Sequence, residues 1–341
     1  MSERVCVDNF VRAETARMFD GMLTQIGGVN QWWHLREPVP LDKQAVIRMN
    51  RDTLYSAAIV DLSEGALLDV PDAGDRYISV MVVNEDHFIN RVFTEPGRYE
   101  LTMDEFDTRF VNLSARVLTD PEDPADTVIG HAWQDALRIE ANASGPYEHP
   151  DYDRESLQRT RSLLLELMRD VPDSRHAFGS ADAVDPIRHL VGTAAGWGGL
   201  PEAEAFYQIE SEPRPVGHYR VEFGDIPCDA FWSITIYNDA GFLEPNDVNR
   251  FSFNSVTATP ESDGRVIVDL DPVDRGYTNH LPVMDGWNYV IRLYRPHQVV
   301  LDDLWTAPEP QLISLGTDGP GDGSTTEMER SSDSEATAPT T

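Results

Sequence analysis

Phe231-Trp232-Ser233-Ile234-Thr235-Ile236-Tyr237 is the stretch that decides the fold. Trp232, Ile234 and Ile236 fall on one face, and Phe231, Ser233, Thr235 and Tyr237 on the other. A period of two is the signature of a β-strand, because successive side chains point to opposite sides of the backbone. Gly217–Phe223 repeats it, with Tyr219, Val221 and Phe223 on one face, and Arg265–Leu270 and Tyr289–Tyr294 follow. Upstream, short runs alternate in the same manner: Ala45–Arg48, Thr53–Val60, Arg76–Val83, Phe88–Phe93, Tyr99–Thr102 and Arg109–Val117. Pro71-Asp72-Ala73-Gly74 and Glu95-Pro96-Gly97 punctuate them as turns. Short strands at this spacing predict sandwiches or jelly rolls.

Helical periodicity appears in three other regions. Val11, Met18, Met22 and Ile26 place a helix over residues 8–26, with Asp8 or Asn9 as its cap and Gly27-Gly28 as its stop. Asp126–Glu140, Arg154–Asp170 and Asp182–Val191 read as helices, the second carrying Leu157, Leu164 and Met168 on one stripe before Pro172. Gly196-Trp197-Gly198-Gly199-Leu200-Pro201 reads as a tight turn leading into a helix over Glu202–Gln208. The expected architecture is therefore mainly β with helical additions: two jelly-roll-like β-sandwich domains joined by a helical connector. The expected boundaries are an N-terminal helix over 1–30, a first sandwich over 31–145, the connector over 146–212, a second sandwich over 213–315 and a disordered acidic tail over 316–341.

Of the 341 residues, 40% are hydrophobic and 9% aromatic, enough for a sizeable core. Lys and Arg number 27 against 59 Asp and Glu, a formal net charge of -32. That excludes general affinity for nucleic acid, which depends on neutralising phosphates with Lys and Arg. Lys43 is the only lysine, the other 26 basic residues are arginines, and Asp exceeds Glu by 35 to 24. A surface so acidic and so poor in lysine predicts a salt-adapted, halophile-type protein. Salt at molar strength shortens the screening length to about 3 Å and makes the self-repulsion tolerable. Cys6 and Cys228 make no disulfide scaffold and sit in no metal-type spacing. The start, MSERVCVDNF, has no apolar core segment, and no stretch approaches the roughly 18–20 apolar residues that cross a bilayer. The expected location is cytoplasmic, with no membrane and no nucleic-acid partner.

The densest polar cluster is Arg48-Met49-Asn50-Arg51-Asp52-Thr53-Leu54-Tyr55-Ser56, at a turn into a strand. Arg51 and Asp52 are adjacent and would point apart in a strand, so Asp52 is expected to cap the turn or meet Arg48. Arg and Tyr at a pocket mouth suit an anionic or hydroxyl-bearing ligand. Turn chemistry and a buried ion pair account for the same residues without any ligand. Trp32-Trp33-His34 forms a second cluster: adjacent aromatics suit a stacking wall for a sugar or aromatic ligand, and also the gap between a helix and a sheet. The candidate ligand-binding set is Trp32, Trp33, His34, Arg48, Asn50, Arg51, Asp52 and Tyr55, a site in the first sandwich. His218 and His280 fall near strand ends, but no spacing makes a metal site specific, so no metal and no cofactor is assigned. His218, Arg220 and Glu222 read as a solvent-facing edge, and Asp269, Asp271, Asp302 and Asp303 as solvated surface charge. Phosphate loops and nucleophile elbows are missing from the sequence.

Met49-Asn50-Arg51-Asp52-Thr53-Leu54-Tyr55-Ser56, Val60-Asp61-Leu62 and Arg76-Tyr77 together resemble the N-terminal signature of domain of unknown function 1254. Arg116, Asp120-Pro121, Asp126 and Gln134-Asp135 resemble its later portion. Phe231–Tyr237, Asn279-His280-Leu281-Pro282, Arg292-Leu293-Tyr294-Arg295-Pro296, and Trp305 with Pro308 resemble the companion domain of unknown function 1214. The resemblance runs from about residue 30 to 312. Members usually carry Trp where His280 stands, and many carry secretory signals of a kind not seen here. The resemblance implies two jelly-roll-like sandwiches joined by helices, a likeness to double-jelly-roll capsid proteins, and oligomers for some relatives. It implies no common activity and transfers no catalytic residue. Two functional readings follow: a ligand-handling protein or enzyme for a small organic or saccharide molecule, or a structural module that forms homo-oligomers without catalysis. In the second, Phe231, Trp232, Tyr294 and Trp305 serve buried interfaces.

The charge pattern makes a direct prediction. The melting temperature rises steeply as KCl increases from about 0.1 M, where the screening length is about 10 Å, to molar strength. A flat or falling melting curve rejects salt adaptation.

Overall fold

The structure is a computed structural model that describes residues 2–44, 47–168, 171 and 173–315. It is mainly β with helical additions. The first part runs α1 (Phe10–Ile26), β1 (Trp33–His34), β2 (Thr53–Asp61), β3 (Ala66–Val70), β4 (Ile78–Asn84), β5 (Arg91–Phe93), β6 (Gly97–Leu101), α2 (Met103–Phe106), β7 (Phe110–Leu118), α3 (Pro124–Ala136) and β8 (Arg138–Ala141). The connecting helices are α4 (Arg154–Met168) and α5 (Pro186–Gly196). The last part runs β9 (Ala205–Arg214), β10 (Gly217–Phe223), β11 (Cys228–Tyr237), β12 (Ser252–Asn254), β13 (Val266–Leu270), β14 (His280–Leu281), β15 (Trp287–Pro296), α6 (Gln298–Leu301) and β16 (Gln311–Leu315).

Four open sheets pair into two sandwiches. In the first, β1-β2-β7-β4-β5 faces β6-β3-β8 across a core of Ala58, Val60, Leu68, Val80, Val82, Leu113 and Val117. In the second, β12-β11-β15-β9 faces β14-β13-β10-β16 across Val221, Phe223, Trp232, Ile234, Ile236, Val268 and Leu293. Period-two alternation sends every other side chain of β2, β7, β4, β11 and β15 to the far face of its sheet. Those far faces meet. Tyr77, Met81, Leu118, Phe231, Tyr294 and Ala205 form a third apolar cluster between the sandwiches. The Phe231 and Tyr294 rings stack at 4.1 Å and 15°. Phe231 and Tyr294 are thus buried inside the chain rather than free for a contact between chains. Trp232 stacks on Phe223 at 4.0 Å within the second core, and Trp305 packs against that core.

Several expected elements differ, each for a local reason. The helix foreseen to Glu140 stops at Ala136. Arg138-Ile139-Glu140-Ala141 then pairs with β3, so that Ile139 and Ala141 reach the first core. The helix foreseen over Glu202–Gln208 is a single turn closed by Ala205 N–H on Pro201 C=O; pairing with β15 then takes over from Ala205. The helix foreseen over Asp182–Val191 starts at Pro186, because the Asp185 carboxylate accepts from Ile187 and Arg188 N–H. Asn9 does precede α1, but its side chain takes Cys6 N–H instead of capping the helix, while Gly27 closes it at φ 89°. Ile47 and Arg48 form a turn; Ala45 and Val46 lie outside the described residues, as do Arg169, Asp170, Pro172 and the whole of 316–341. β10 is covered by β16 and is no solvent edge: His218 Nε2 lies 2.7 Å from Asp269 Oδ1. Asp269 and Asp271 are buried, not solvated, with Arg220 and Arg275 as their ion-pair partners. Asp303 pairs with Arg175.

A buried aromatic stack across the seam should couple the two sandwiches. Phe231→Ala is expected to cost about 3–5 kcal/mol, the usual range for truncating a buried aromatic. The wild-type chain should unfold in molar KCl as a single transition by both fluorescence and circular dichroism. Two separated transitions reject the coupling.

Candidate functional site

The polar residues of the seam stand in two facing rows set by strand register. On the first sandwich, Tyr55, Arg116 and Ser79 are direct neighbours across β2, β7 and β4. On the second, Asn254, Ser233, Arg292 and Tyr207 are direct neighbours across β12, β11, β15 and β9. Each belongs to the face of its strand that looks away from its own sandwich core.

Asn50 ties the rows together. It sits in the turn before β2, where its Oδ1 accepts Asp52 N–H at 2.7 Å, the turn chemistry its position demands. Its Nδ2 lies 3.2 Å from Thr53 Oγ1, 3.2 Å from Tyr55 OH and 3.1 Å from Tyr294 OH. Asn50 is the donor in these contacts, so the protons of the two phenol groups point elsewhere. Burial raises the Tyr294 pKa well above its usual value, and the nearby Asp52 adds to the rise. Tyr77, buried beside it, is pushed up to about 12 by desolvation. Tyr77 donates its phenol proton to Ser79 Oγ at 3.0 Å.

Two buried guanidiniums lie in the seam and differ in how they are held. Arg292 is fully engaged: Nη1 donates to Thr235 Oγ1 at 3.0 Å, and Nη2 donates to Tyr237 OH and to the Arg48 carbonyl at 2.8 Å each. Arg116 is 7% exposed, with its Nη2 donating to the Gly198 carbonyl at 3.1 Å. Its Nη1 is buried without a hydrogen-bond partner. The guanidinium lies 5.4 Å from the Tyr55 ring centroid. Asp52, 1% exposed, accepts from Asn254 Nδ2 at 3.5 Å through Oδ1, while its Oδ2 is also unpartnered. Burial raises the Asp52 pKa against the pull of Arg292. Ser233 faces Asp52, yet its Oγ makes no hydrogen bond of good geometry. Buried polar atoms are nearly always paired, and an unpaired one costs about 1–3 kcal/mol. Arg116 Nη1 and Asp52 Oδ2 are charged atoms of the seam left incompletely paired.

The eight residues singled out from sequence divide between two faces of one sheet. Asn50, Asp52 and Tyr55 belong to the seam, where Asn50 reaches Tyr294 and Asp52 meets Asn254. Arg48, with φ 53°, donates to Ser211 Oγ and offers its carbonyl to Arg292, and does not meet Asp52. Arg51 lies half-buried over the Phe251 ring at 4.8 Å and lines a cleft of about 20 Å³ with Asn254 and Arg250. Trp32 and His34 point to the opposite face, where His34 Nδ1 meets Ser56 Oγ at 2.8 Å and the two rings lie 17° from parallel. Gln134 of α3 closes that side by donating to Ser56 Oγ. Trp33 turns away from both and sits against α1 beside Met18 and Met22. Alternation along β1 therefore prevents Trp32 and Trp33 from forming one wall. Sequence reasoning did not assign site roles to Arg116, Tyr207, Ser233, Arg292 and Tyr294. The available signal was the second face of β11 and β15, polar but nearly uncharged, which suits a buried polar seam better than a solvated surface. His280 is buried elsewhere, its Nε2 on the Asp271 carbonyl at 2.7 Å. No group of three His, Cys, Asp or Glu side chains that could hold a metal ion occurs among the described residues. Cys228 is half-buried, and desolvation pushes its thiol up to about 11.

Family models matching this chain cover both sandwiches. "Protein of unknown function (DUF1254)" matches residues 29–141, and "Protein of unknown function (DUF1214)" matches residues 210–298. The chain joins a DUF1254 domain to a DUF1214 domain. Asn50, Asp52, Tyr55 and Arg116 belong to the DUF1254 region, and Ser233, Asn254, Arg292 and Tyr294 to the DUF1214 region. No curated protein matches the chain. Its fold is similar to that of the VPA0106 protein from Vibrio parahaemolyticus, at 18% identity and a TM-score of 0.72 over 90% of this chain and 97% of that one. An uncharacterized protein from Burkholderia cenocepacia aligns at 14% identity and a TM-score of 0.49, over 89% and 87% of the two chains. No helix among the described residues is long and apolar enough to cross a membrane.

The packing of the DUF1254 domain on the connecting helix α5 contains a histidine that must stay neutral. His87 is fully buried; its Nε2 accepts Gly198 N–H at 2.9 Å, so Nδ1 carries the proton and donates it to Thr193 Oγ1 at 2.8 Å. Burial, with the neighbouring His189, holds its pKa well below the usual value. His34 is lowered to about 4, mainly by burial. A depressed histidine contributes stability that is complete above its unfolded pKa, about 6.5, and is lost as pH falls toward the folded value. The melting temperature should therefore fall between pH 7 and pH 4.5, and His87→Gln should flatten part of that slope. A slope unchanged in His87→Gln rejects the role given to His87.

Proposed function

We propose that this chain is a ligand-handling protein for a small organic molecule, with its site at the polar seam between the two sandwiches. The observation that carries this reading is a pair of buried charged groups left incompletely hydrogen-bonded, Arg116 at Nη1 and Asp52 at Oδ2. A seam built only for adhesion gains nothing from them, because apolar residues of the same shape would avoid the desolvation cost. Conversion of the bound molecule is compatible with this arrangement, since Asp52 is a desolvated carboxyl group able to exchange a proton. This reading sets the site at the boundary of both sandwiches, next to the first-sandwich residues Asn50, Asp52 and Tyr55.

Thermal-shift screening in molar KCl tests it. A panel of sugars, organic acids and neutral aromatics should contain compounds that raise the melting temperature. Those shifts should disappear in Asn50→Ala and in Arg116→Gln. A panel without a single hit, or hits of equal size in both variants, rejects the proposal.

A further inference from the structure

We infer that the cleft at Arg51, where the loop after β7 meets the approach to β12, is a binding site for a neutral saccharide. This goes beyond the proposed function, because it stands on the cleft and its unused hydrogen-bonding groups and not on Arg116 or Asp52. Asn254, a wall of the cleft, joins it to the seam through its bond to Asp52. The cleft is narrow at Arg51, about 20 Å³, and opens into larger spaces. It shares Asp120, Asn254 and Thr257 with a cavity of about 220 Å³, and Glu122, Arg250 and Thr257 with one of about 320 Å³. Arg51, Asp120 and Glu122 come from the first part of the chain, and Asn249, Arg250 and Ser252 from the second, a boundary of the kind where ligand sites collect.

The walls hold their polar groups ready and leave them unused. The Arg51 guanidinium is fixed over the Phe251 ring at 4.8 Å, yet its N–H groups make no hydrogen bond among the described residues. Burial lowers its pKa against the pull of Glu122, so the side chain has lost water without gaining a partner. Arg250 lies over Phe253 at 4.5 Å and pairs with Glu122 Oε2. Asp120 Oδ1 accepts Glu122 N–H at 2.9 Å. The other oxygens, Asp120 Oδ2 and Glu122 Oε1, and the side chains of Asn249 and Ser252 make no hydrogen bond among the described residues. Two guanidiniums thus balance two carboxylates in the cleft. The adjoining cavities add the Arg76–Asp126 ion pair, exposed Asp75 and Asp274, and His280, whose Nε2 already meets the Asp271 carbonyl. The surroundings are neutral at Arg51 and negative at the rims. A carboxylate offers only acceptors and is repelled by Asp120 and Glu122. An ammonium offers only donors and leaves Arg51 without a partner. A hydroxyl group accepts from Arg51 and donates to Asp120 or Glu122, and a saccharide carries several hydroxyls on one frame.

Ligand-observed NMR titration at fixed KCl tests the inference with glucose, galactose and mannose, each beside its uronic acid and its amino sugar. At least one neutral sugar should bind, about tenfold tighter than its charged counterparts, because like charges set against each other are strongly disfavoured. Arg51→Met keeps an apolar stem over Phe251 and removes the N–H donors; it should weaken that sugar about tenfold or more, the loss expected for hydrogen bonds to a charged group. Asp120→Asn keeps an acceptor for Glu122 N–H and should narrow the gap between the neutral sugar and its uronic acid. Failure of every neutral sugar, or a uronic acid or amino sugar bound as tightly as its neutral parent, overturns the inference. Sugar binding that survives Arg51→Met and is lost in Arg116→Gln puts the sugar in the seam, so the inference falls while the proposed function stands. Binding lost in Arg51→Met and kept in Arg116→Gln upholds the inference whether or not the seam binds anything. Should Arg51→Met not fold, Asp120→Asn decides: an unchanged ratio of neutral sugar to uronic acid overturns the inference.

Discussion

Two sheets that each bury both of their faces impose the main constraint on this protein. The sheet β1-β2-β7-β4-β5 has its own sandwich on one side and the second sandwich on part of the other, and β12-β11-β15-β9 is in the same position. A strand buried on both faces is normally apolar throughout. Here the inner faces obey that rule and the facing outer surfaces break it with Tyr55, Arg116, Ser233, Thr235, Arg292 and Tyr294. Such groups are tolerated only where hydrogen bonds satisfy them. Thr235, Tyr237 and the Arg48 carbonyl do this for Arg292, and Arg116 is satisfied on one side only.

Much of the architecture was legible because alternation is a strong signal in long strands. Thr53–Val60, Gly217–Phe223 and Phe231–Tyr237 were placed within a few residues, and the two faces of the last were assigned as the structure has them. Short elements were less legible. β8 and β9 exist because β3 and β15 offer them unpaired edges, a tertiary opportunity that a local window does not register. The site was legible in part. Asn50, Asp52 and Tyr55 announced themselves through turn chemistry and clustering. Their partners lie more than 60 residues away in sequence, and only strand register brings Arg116 and Arg292 opposite them. Trp32 and His34 were drawn into the candidate set by proximity along the chain, but the pleat sends them to the other side of the sheet.

Electrostatically the molecule is layered. Its surface is acidic, with arginines such as Arg98 and Arg265 linked to neighbouring carboxylates. Exposed pairs of this kind contribute little individually and are screened by salt. The interior seam holds the buried guanidiniums of Arg116 and Arg292, which salt screens far less.

Gly198 concentrates these relationships in one peptide unit. Its N–H is held by His87 and its carbonyl by Arg116, in a turn with φ 77° that favours glycine. The residue lies in neither family-matched region, yet it touches the buried guanidinium of Arg116. The stretch between the two domains is therefore a working part of the architecture and not a mere tether. Splitting the coding sequence between residues 141 and 198 would part Arg116 from the carbonyl that holds it. Recombining the first module with an unrelated neighbour would leave His87 and Arg116 without this peptide as a partner even if the fold survived.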